Sequence, residues 1–189
     1  MGDVAVEVTD SERIDVGDGV SIPKAWEVTA TGEANVVATI RMHVVFDEQL
    51  RRTVAASVGV DRAEEGAEVT AAALRDVRVQ HLVTVSSMRL VEVTREQGKP
   101  EPLGEYLAKV KARSDRNYEE TAREAVVLYR IASTVNLAPL RLISKQLGVS
   151  VSTATRMMAR AREAGLAVDL ITRETHNRLR TGSGPSIGR

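Results

Sequence analysis

An α+β fold is what the sequence predicts, with a small N-terminal antiparallel sheet domain followed by a C-terminal helical domain, and three observations carry it. Between residues 36 and 60 apolar side chains recur at every second position, the period of a strand with one face in a core. From residue 118 to 135 they recur at spacings of three and four, the period of a helix face. Between these patterns, Gln97-Gly98-Lys99-Pro100-Glu101-Pro102 puts two prolines and a glycine in six residues, which removes backbone donors and interrupts either regular structure. The expected division is a flexible arm over residues 1–20, a small α+β domain over 21–96, a linker over 97–103, a helical domain over 104–172 and a basic flexible tail over 173–189.

Taken in order, the first thirty or so residues hold Gly17, Asp18, Gly19 and Pro23 among many acids and show little apolar period, so poor order is expected before Ser21. A strand follows, with Val36, Ala38, Ile40, Met42, Val44 and Phe46 on one face and Thr39, Arg41 and His43 on the other. After the polar break at Asp47-Glu48-Gln49, a second alternation groups Val54, Ala56, Val58 and Val60, which predicts an antiparallel hairpin over a small core. Residues 61–68 read as an acidic loop. Ala71 to Leu74 favour helix whereas Val77, Val79, Val83, Val85, Val91 and Val93 favour strand; the reading adopted is a short turn of helix near Leu74 and a longer helix from about Val79.

Composition narrows the function classes. Of 189 residues 43% are apolar and 28% charged, as in soluble globular proteins, and with only 3% aromatic the core must rest on Val, Leu, Ile, Ala and Met. Cysteine is absent, which excludes disulfides, thiolate metal sites and a cysteine nucleophile and agrees with a reducing cytoplasm. No signal peptide and no membrane helix are expected, since the N-terminus is acidic and no apolar run approaches the roughly 20 residues a span needs. The formal net charge of zero hides a gradient: residues 1–66 carry 13 acidic and 6 basic side chains, residues 137–189 carry 3 and 9. A polyanion would bind at the basic end.

That end also holds the most specific pattern in the chain. Tyr118, Ala122, Ala125, Val126, Tyr129 and Ala132 form one apolar stripe on a supporting helix. After Asn136-Leu137-Ala138 the chain restarts with Pro139, which suits a first helical position because its missing N–H has no intrahelical acceptor there. A short helix follows with Leu140, Ile143 and Leu147 inward, and stops at Gly148, a residue able to take left-handed backbone. Val149 plugs the corner and Ser150 is placed to cap the next helix, expected over residues 151–164 with Ala154, Met157, Met158 and Ala161 inward. Gly165 and Leu166 close it. Ser152, Thr153, Thr155, Arg156 and Arg160 then remain outward, and these types suit a DNA groove: arginine donates two parallel hydrogen bonds to guanine, and hydroxyls meet phosphates or base edges.

The run from Leu142 to Arg156, with its Leu-Gly-Val-Ser turn followed by Ser-Thr-Ala, resembles the helix-turn-helix of bacterial DNA-binding regulators, and residues 118–166 look like small actinobacterial proteins with such a domain at the C-terminus. The resemblance implies that the third helix enters the major groove while the second crosses the backbone, so that Ser152, Thr153, Thr155, Arg156 and Arg160, with Ser150, Arg141 and Lys145, face double-stranded DNA. Two departures stand out: Ser144 where that family usually has a small alanine, and Val151 where it often has a polar or basic residue. A winged version would need a hairpin after the third helix, for which residues 167–172 offer one strand and no clear second.

Other chemistries find little support. His43, His81 and His176 are far apart and lack ligand spacing, so no metal is expected; Ser86 and Ser87 lack a Gly-x-Ser-x-Gly elbow, and there is no phosphate-binding glycine loop. No catalytic role and no cofactor are expected. The sequence therefore reads as a transcriptional regulator binding double-stranded DNA, without a membrane partner, as a homodimer joined through the N-terminal sheet or residues 103–110. Arg173, Arg178 and Arg180 are either phosphate contacts flanking the groove or solvated tail charges. The alternatives are a phage or plasmid accessory factor in packaging, replication or excision, a protein-interaction module using the same helical face, and, weakest, an enzyme.

Overall fold

A computed structural model of the chain describes residues 2–32, 38–65, 67–95, 98–167 and 170. The architecture is α+β, an antiparallel sheet followed by helices, as the sequence predicts. The strands are β1 (Asp3–Gly17), β2 (Val20–Thr31), β3 (Ala38–Asp47), β4 (Arg52–Arg62), β5 (Glu92–Val93) and β6 (Glu101–Pro102). The helices are α1 (Ala71–Asp76), α2 (Val79–Leu90), α3 (Leu103–Ala112), α4 (Tyr118–Thr134), α5 (Pro139–Leu147) and α6 (Val151–Glu163). β1 runs along one edge of β2 from the Asp3↔Thr31 pair to Gly17↔Val20. A strand has only two edges, so β3, paired over Ala25 to Ala30, and β5, paired at Val20 and Ser21, share the other; β4 lies outside β3 and β6 outside β5.

The predicted hairpin is β3–β4, with Ala38, Ile40, Met42, Val44 and Phe46 of β3 buried on one face; Val36 lies outside the described residues. β4 departs from the expected grouping. Met42 pairs with Val58, but Val44 pairs with Ala55 and Val45 with Val54, because β4 carries one extra residue opposite His43/Val44. A one-residue bulge exchanges the two faces of a strand, so Val54 lies on the opposite face from Val58 and Val60.

Residues 1–20 are not a flexible arm: residues 3–17 form β1. Its period was illegible because Val4 and Val6 are only half-buried on an edge strand, and register irregularities on either side of Asp10 break the alternation before Ile14 and Val16 resume it. The expected linker over 97–103 is also corrected. Glu101–Pro102 pairs with Glu92–Val93, the Leu103 N–H donates to the Val91 carbonyl at 3.0 Å, and Leu103 is buried. Pro102 serves there as the residue entering α3, where no donor is missed.

Sheet and helices share one continuous hydrophobic cluster that runs from Trp26 and Ile22 through Leu128 and Ile131 to Met158. Leu103, Tyr106 and Val110 belong to it. The apolar face of α3 is thereby used internally, and the outer side of residues 103–110 offers Gly104, Glu105, Ala108 and Lys109. Tyr106 also donates to Glu124 of α4 while Arg95 stands over its ring at 5.1 Å from the centroid. Burial first, then the Glu124 charge, raises the Tyr106 phenol far above its ordinary value and keeps it a donor.

The two helices expected around Leu74 and from Val79 are α1 and α2. Thr70 caps α1 by accepting the Ala73 N–H at 3.1 Å; Leu74 itself points outward. α2 lies against the sheet, and its buried serines bind structure: Ser86 Oγ accepts the Trp26 indole N–H at 3.0 Å, and Ser87 Oγ lies 2.9 Å from Thr53 Oγ1. Thr53 in turn donates to the Thr134 carbonyl at 3.0 Å, and Asn136 Nδ2 donates to the Thr53 carbonyl at 2.8 Å. These bonds fasten β4 to the end of α4 in a region where an unmade hydrogen bond is costly. Among the described residues no helix is long and apolar enough to cross a membrane, and no group of three or more His, Asp or Glu is placed to hold a metal ion.

Candidate nucleic-acid interface

α4 joins the sheet to the basic end of the chain. Asn117 and Glu120 form a reciprocal capping box, Asn117 Oδ1 accepting the Glu120 N–H and Glu120 accepting the Asn117 N–H, each at 2.9 Å. That bond to Asn117, followed by the Arg113 guanidinium, holds the Glu120 carboxyl below its ordinary range. Ala122, Ala125, Val126, Tyr129 and Ala132 are buried as the stripe predicted, and Leu128 and Ile131 are buried beside them. The buried face is wider than one stripe because α4 has neighbours on two sides: β1, β2 and β4 on one, α5 and α6 on the other.

Arg130 lies on the sheet side. It is 6% exposed, its Nε donates to Asp18 Oδ2 at 2.6 Å and its Nη1 to the Val16 carbonyl at 2.6 Å. The receiving turn, Gly17-Asp18-Gly19, has three consecutive positive φ values. A Cβ on Gly17 would stand 2.7 Å from Arg130 Cζ, so glycine there makes room for the guanidinium.

On its other side α4 carries α5 and α6, joined by the three residues Gly148, Val149 and Ser150. Pro139 begins α5, Ile143 is fully buried, and Leu140 and Leu147 pack at the margin. Gly148 has φ +66°, and both the Gly148 and Val149 N–H groups return to the Ser144 carbonyl. Ser144, the first departure noted above, donates its hydroxyl to the Val149 carbonyl at 2.6 Å and so fastens the turn from within. Ser150 caps α6, accepting the Thr153 N–H at 3.1 Å. A Cβ on Gly148 would meet nothing within 4 Å, so Gly148→Ala tests backbone strain alone. It is expected to lower stability by about 1 kcal/mol in urea unfolding, with Gly148→Asn losing less; an Ala variant as stable as the parent would show that the turn tolerates another path.

α6 buries Ala154, Met158 and Ala161, while Met157 is only half-buried. Gly165, with φ +74°, and the Leu166 N–H, bonded to the Ala161 carbonyl at 2.9 Å, close the helix. Ser152, Thr155, Arg156 and Arg160 are exposed together on its outer side and Thr153 is half-buried at their edge. Not all are equally available. Ser150 and Thr153 are engaged in the cap, Ser152 Oγ lies 2.8 Å from Ser150 Oγ, and Thr155 returns its hydroxyl to the Val151 carbonyl at 2.9 Å. Arg141 and Lys145 are exposed on α5. Val151, the second departure, is 46% exposed at the start of α6 and offers only apolar contact.

Several arginines elsewhere meet carboxylates: Arg13 and Glu92 at 3.3 Å, Arg41 and Asp61 at 2.9 Å, Arg113 and Glu120 at 2.6 Å, Arg123 and Glu119 at 2.7 Å. Between Pro139 and Leu166 there are five basic residues and one acid, Glu163. Among the described residues none of Arg141, Lys145, Arg156 and Arg160 has an ion-pair partner, Arg156 reaching only Thr153 at 3.4 Å and Arg160 only Tyr118 at 3.4 Å. Arg156 and Arg160 stand one turn apart, an arrangement of like charges that costs a helix a few tenths of a kcal/mol.

Tyr118 is the residue that sequence periodicity misplaced: it is 61% exposed, not part of the buried stripe. Its position as the first residue of α4, where the helix face only begins, was the available signal. Arg162, whose guanidinium lies 5.7 Å from the centroid of the buried Tyr129 ring, is turned back toward the protein. Arg173, Arg178 and Arg180, the tail over 173–189 and most of the strand considered over 167–172 lie outside the described residues. No family model, no curated protein and no solved structure matches the chain.

Proposed function

We propose that α5, the turn and α6 act as a helix-turn-helix that binds double-stranded DNA, α6 lying in the major groove and the protein serving as a cytoplasmic transcriptional regulator. The observation that carries this reading is the outer side of α6, where Arg156 and Arg160 stand on one face with no carboxylate partner among the described residues, beside exposed Ser152 and Thr155. A protein surface gains nothing in stability from two adjacent like charges, whereas a polyanion gains from both. The small side chain of Ala154, fully buried, lets α6 approach its neighbours closely. Arg141 and Lys145 on α5 supply phosphate contacts on the strand that α5 crosses.

The protein binds as a homodimer through its sheet. Of the two long outer edges, β1 carries Asp3, Glu7, Asp10, Glu12 and Asp15, which repel a second acidic strand, while β4 is uncharged from Ala55 to Val60, beyond the Thr53 bonds to Thr134 and Asn136, and takes the partner.

Fluorescence anisotropy of a labelled duplex, titrated across a salt series, tests the reading. The expected result is steeply salt-dependent binding with two protomers per duplex, and a loss of about 1–3 kcal/mol for Arg156→Ala on a selected sequence. A helical, folded protein with no affinity for any duplex at low salt would refute it and turn attention to polypeptide partners.

A further inference from the structure

We infer that Tyr118 and Arg160 together form a binding site for one phosphodiester group of the DNA backbone, distinct in task from Arg156, which reads base edges; this rests on the DNA-binding reading above. Tyr118 is a large aromatic residue with 61% of its surface exposed at the first position of α4, so burial does not account for it. Its ring lies against the recognition helix, with the Arg160 guanidinium 5.9 Å from the ring centroid and Arg160 Nη1 3.4 Å from the phenolic oxygen.

Stacking restricts a long, flexible side chain and holds its planar fork in one orientation, so less freedom is lost when an anion binds. Because Arg160 donates toward the phenolic oxygen, the Tyr118 hydroxyl keeps its own hydrogen to give away. The pair therefore offers several N–H donors and one O–H donor at a single place. A phosphodiester offers only acceptors there, whereas base edges mix donors with acceptors.

Arg156 differs in each respect. It lies one turn earlier, nearer the end of α6 that enters the groove, and has no aromatic contact among the described residues, only Thr153 at 3.4 Å. It is free to turn toward a base. Arg162 supplies the internal comparison: its guanidinium lies 5.7 Å from the centroid of the Tyr129 ring, but that ring is buried and offers no hydroxyl at the surface beside it.

The test uses the full chain, a labelled duplex selected by the protein from a random pool, and a scrambled duplex of equal length, titrated across a salt series. Tyr118→Ala and Arg160→Ala are expected to weaken binding to both duplexes by the same factor, roughly threefold to tenfold, and Arg160→Ala to reduce the slope of log affinity against log salt by about one. Tyr118→Phe, which keeps the stack and loses the hydroxyl, falls between Tyr118→Ala and the parent. Combining Tyr118→Ala with Arg160→Ala weakens binding no further than the larger single loss, since the two act on one phosphate. Thermal unfolding of Tyr118→Ala stays near that of the parent because the ring is exposed.

Two results overturn the proposal while leaving DNA binding intact: Tyr118→Ala binding like the parent with an unchanged slope, or Arg160→Ala losing the preference between duplexes instead of affinity for both. If the parent chain binds neither duplex at low salt, this site and the DNA-binding reading fall together.

Discussion

Trp26→Ala is expected to destabilise the protein by about 3–5 kcal/mol, the range for removing a fully enclosed large aromatic side chain. Trp26 has no solvent exposure, sits on the inner face of β2 and belongs to the cluster shared by sheet and helices. Its indole N–H donates to Ser86 Oγ, but Ser86 also donates to the Val83 carbonyl at 3.1 Å, so the serine is not orphaned. Most of the loss is therefore the transfer of apolar surface and the space left behind, because β2, held by β1 on one edge and β3 on the other, has little room to close in. Urea unfolding followed by circular dichroism measures it, since the substitution removes the chain's one tryptophan. A change below about 1 kcal/mol would mean that the core collapses freely around position 26 and is not close-packed there.

Arg130→Ala is expected to cost about 3 kcal/mol, the lower end of the range for breaking a buried ion pair from one side, because the Asp18 side chain keeps 32% of its surface and with it some water. The substitution also takes the guanidinium donor from the buried Val16 carbonyl and the packing of the long side chain from the space beside Gly17. Asp18→Asn is the informative companion. Asp18 has φ +51°, a conformation asparagine accepts readily, and an amide oxygen can still accept from Nε, so only the charge is removed and the loss should be smaller. Equal losses in the two variants would show that charge, not packing, dominates this joint; no loss in either would show that the joint between sheet and α4 is held by the apolar cluster alone.

What was legible in the sequence was local. The alternation in β3, the proline opening α5, the glycine closing it and the serine capping α6 each act within a few residues, and their positions in the structure match their chemistry. The six-strand sheet was only partly legible. β1 makes one ladder, faces water with much of its length and changes register twice near Asp10, so neither period nor burial marks it. Pro100 and Pro102 were legible as a break but not as its kind, because a proline entering a helix and a proline in a linker obey the same backbone rule. The bulge in β4 left the residue types alternating while the faces exchanged. At the candidate site the outward residues of α6 could be read from spacing, but the Tyr118–Arg160 contact joins positions 42 apart in sequence and the Arg130–Asp18 pair positions 112 apart. No local period carries information over such distances.

α4 serves the sheet with one side and the α5–α6 pair with the other, and no free tether separates them. The α5–α6 pair therefore cannot swivel on its own. Under the proposed function, with two copies joined through their sheets, the gap between their two α6 helices would be a dimension of the folded body, as invariant as the length of a rigid calliper. On that reading, tolerance for sites whose halves are moved apart or together by a base pair is expected to be narrow, and a signal that altered binding would have to shift the whole dimer's geometry instead of loosening one arm.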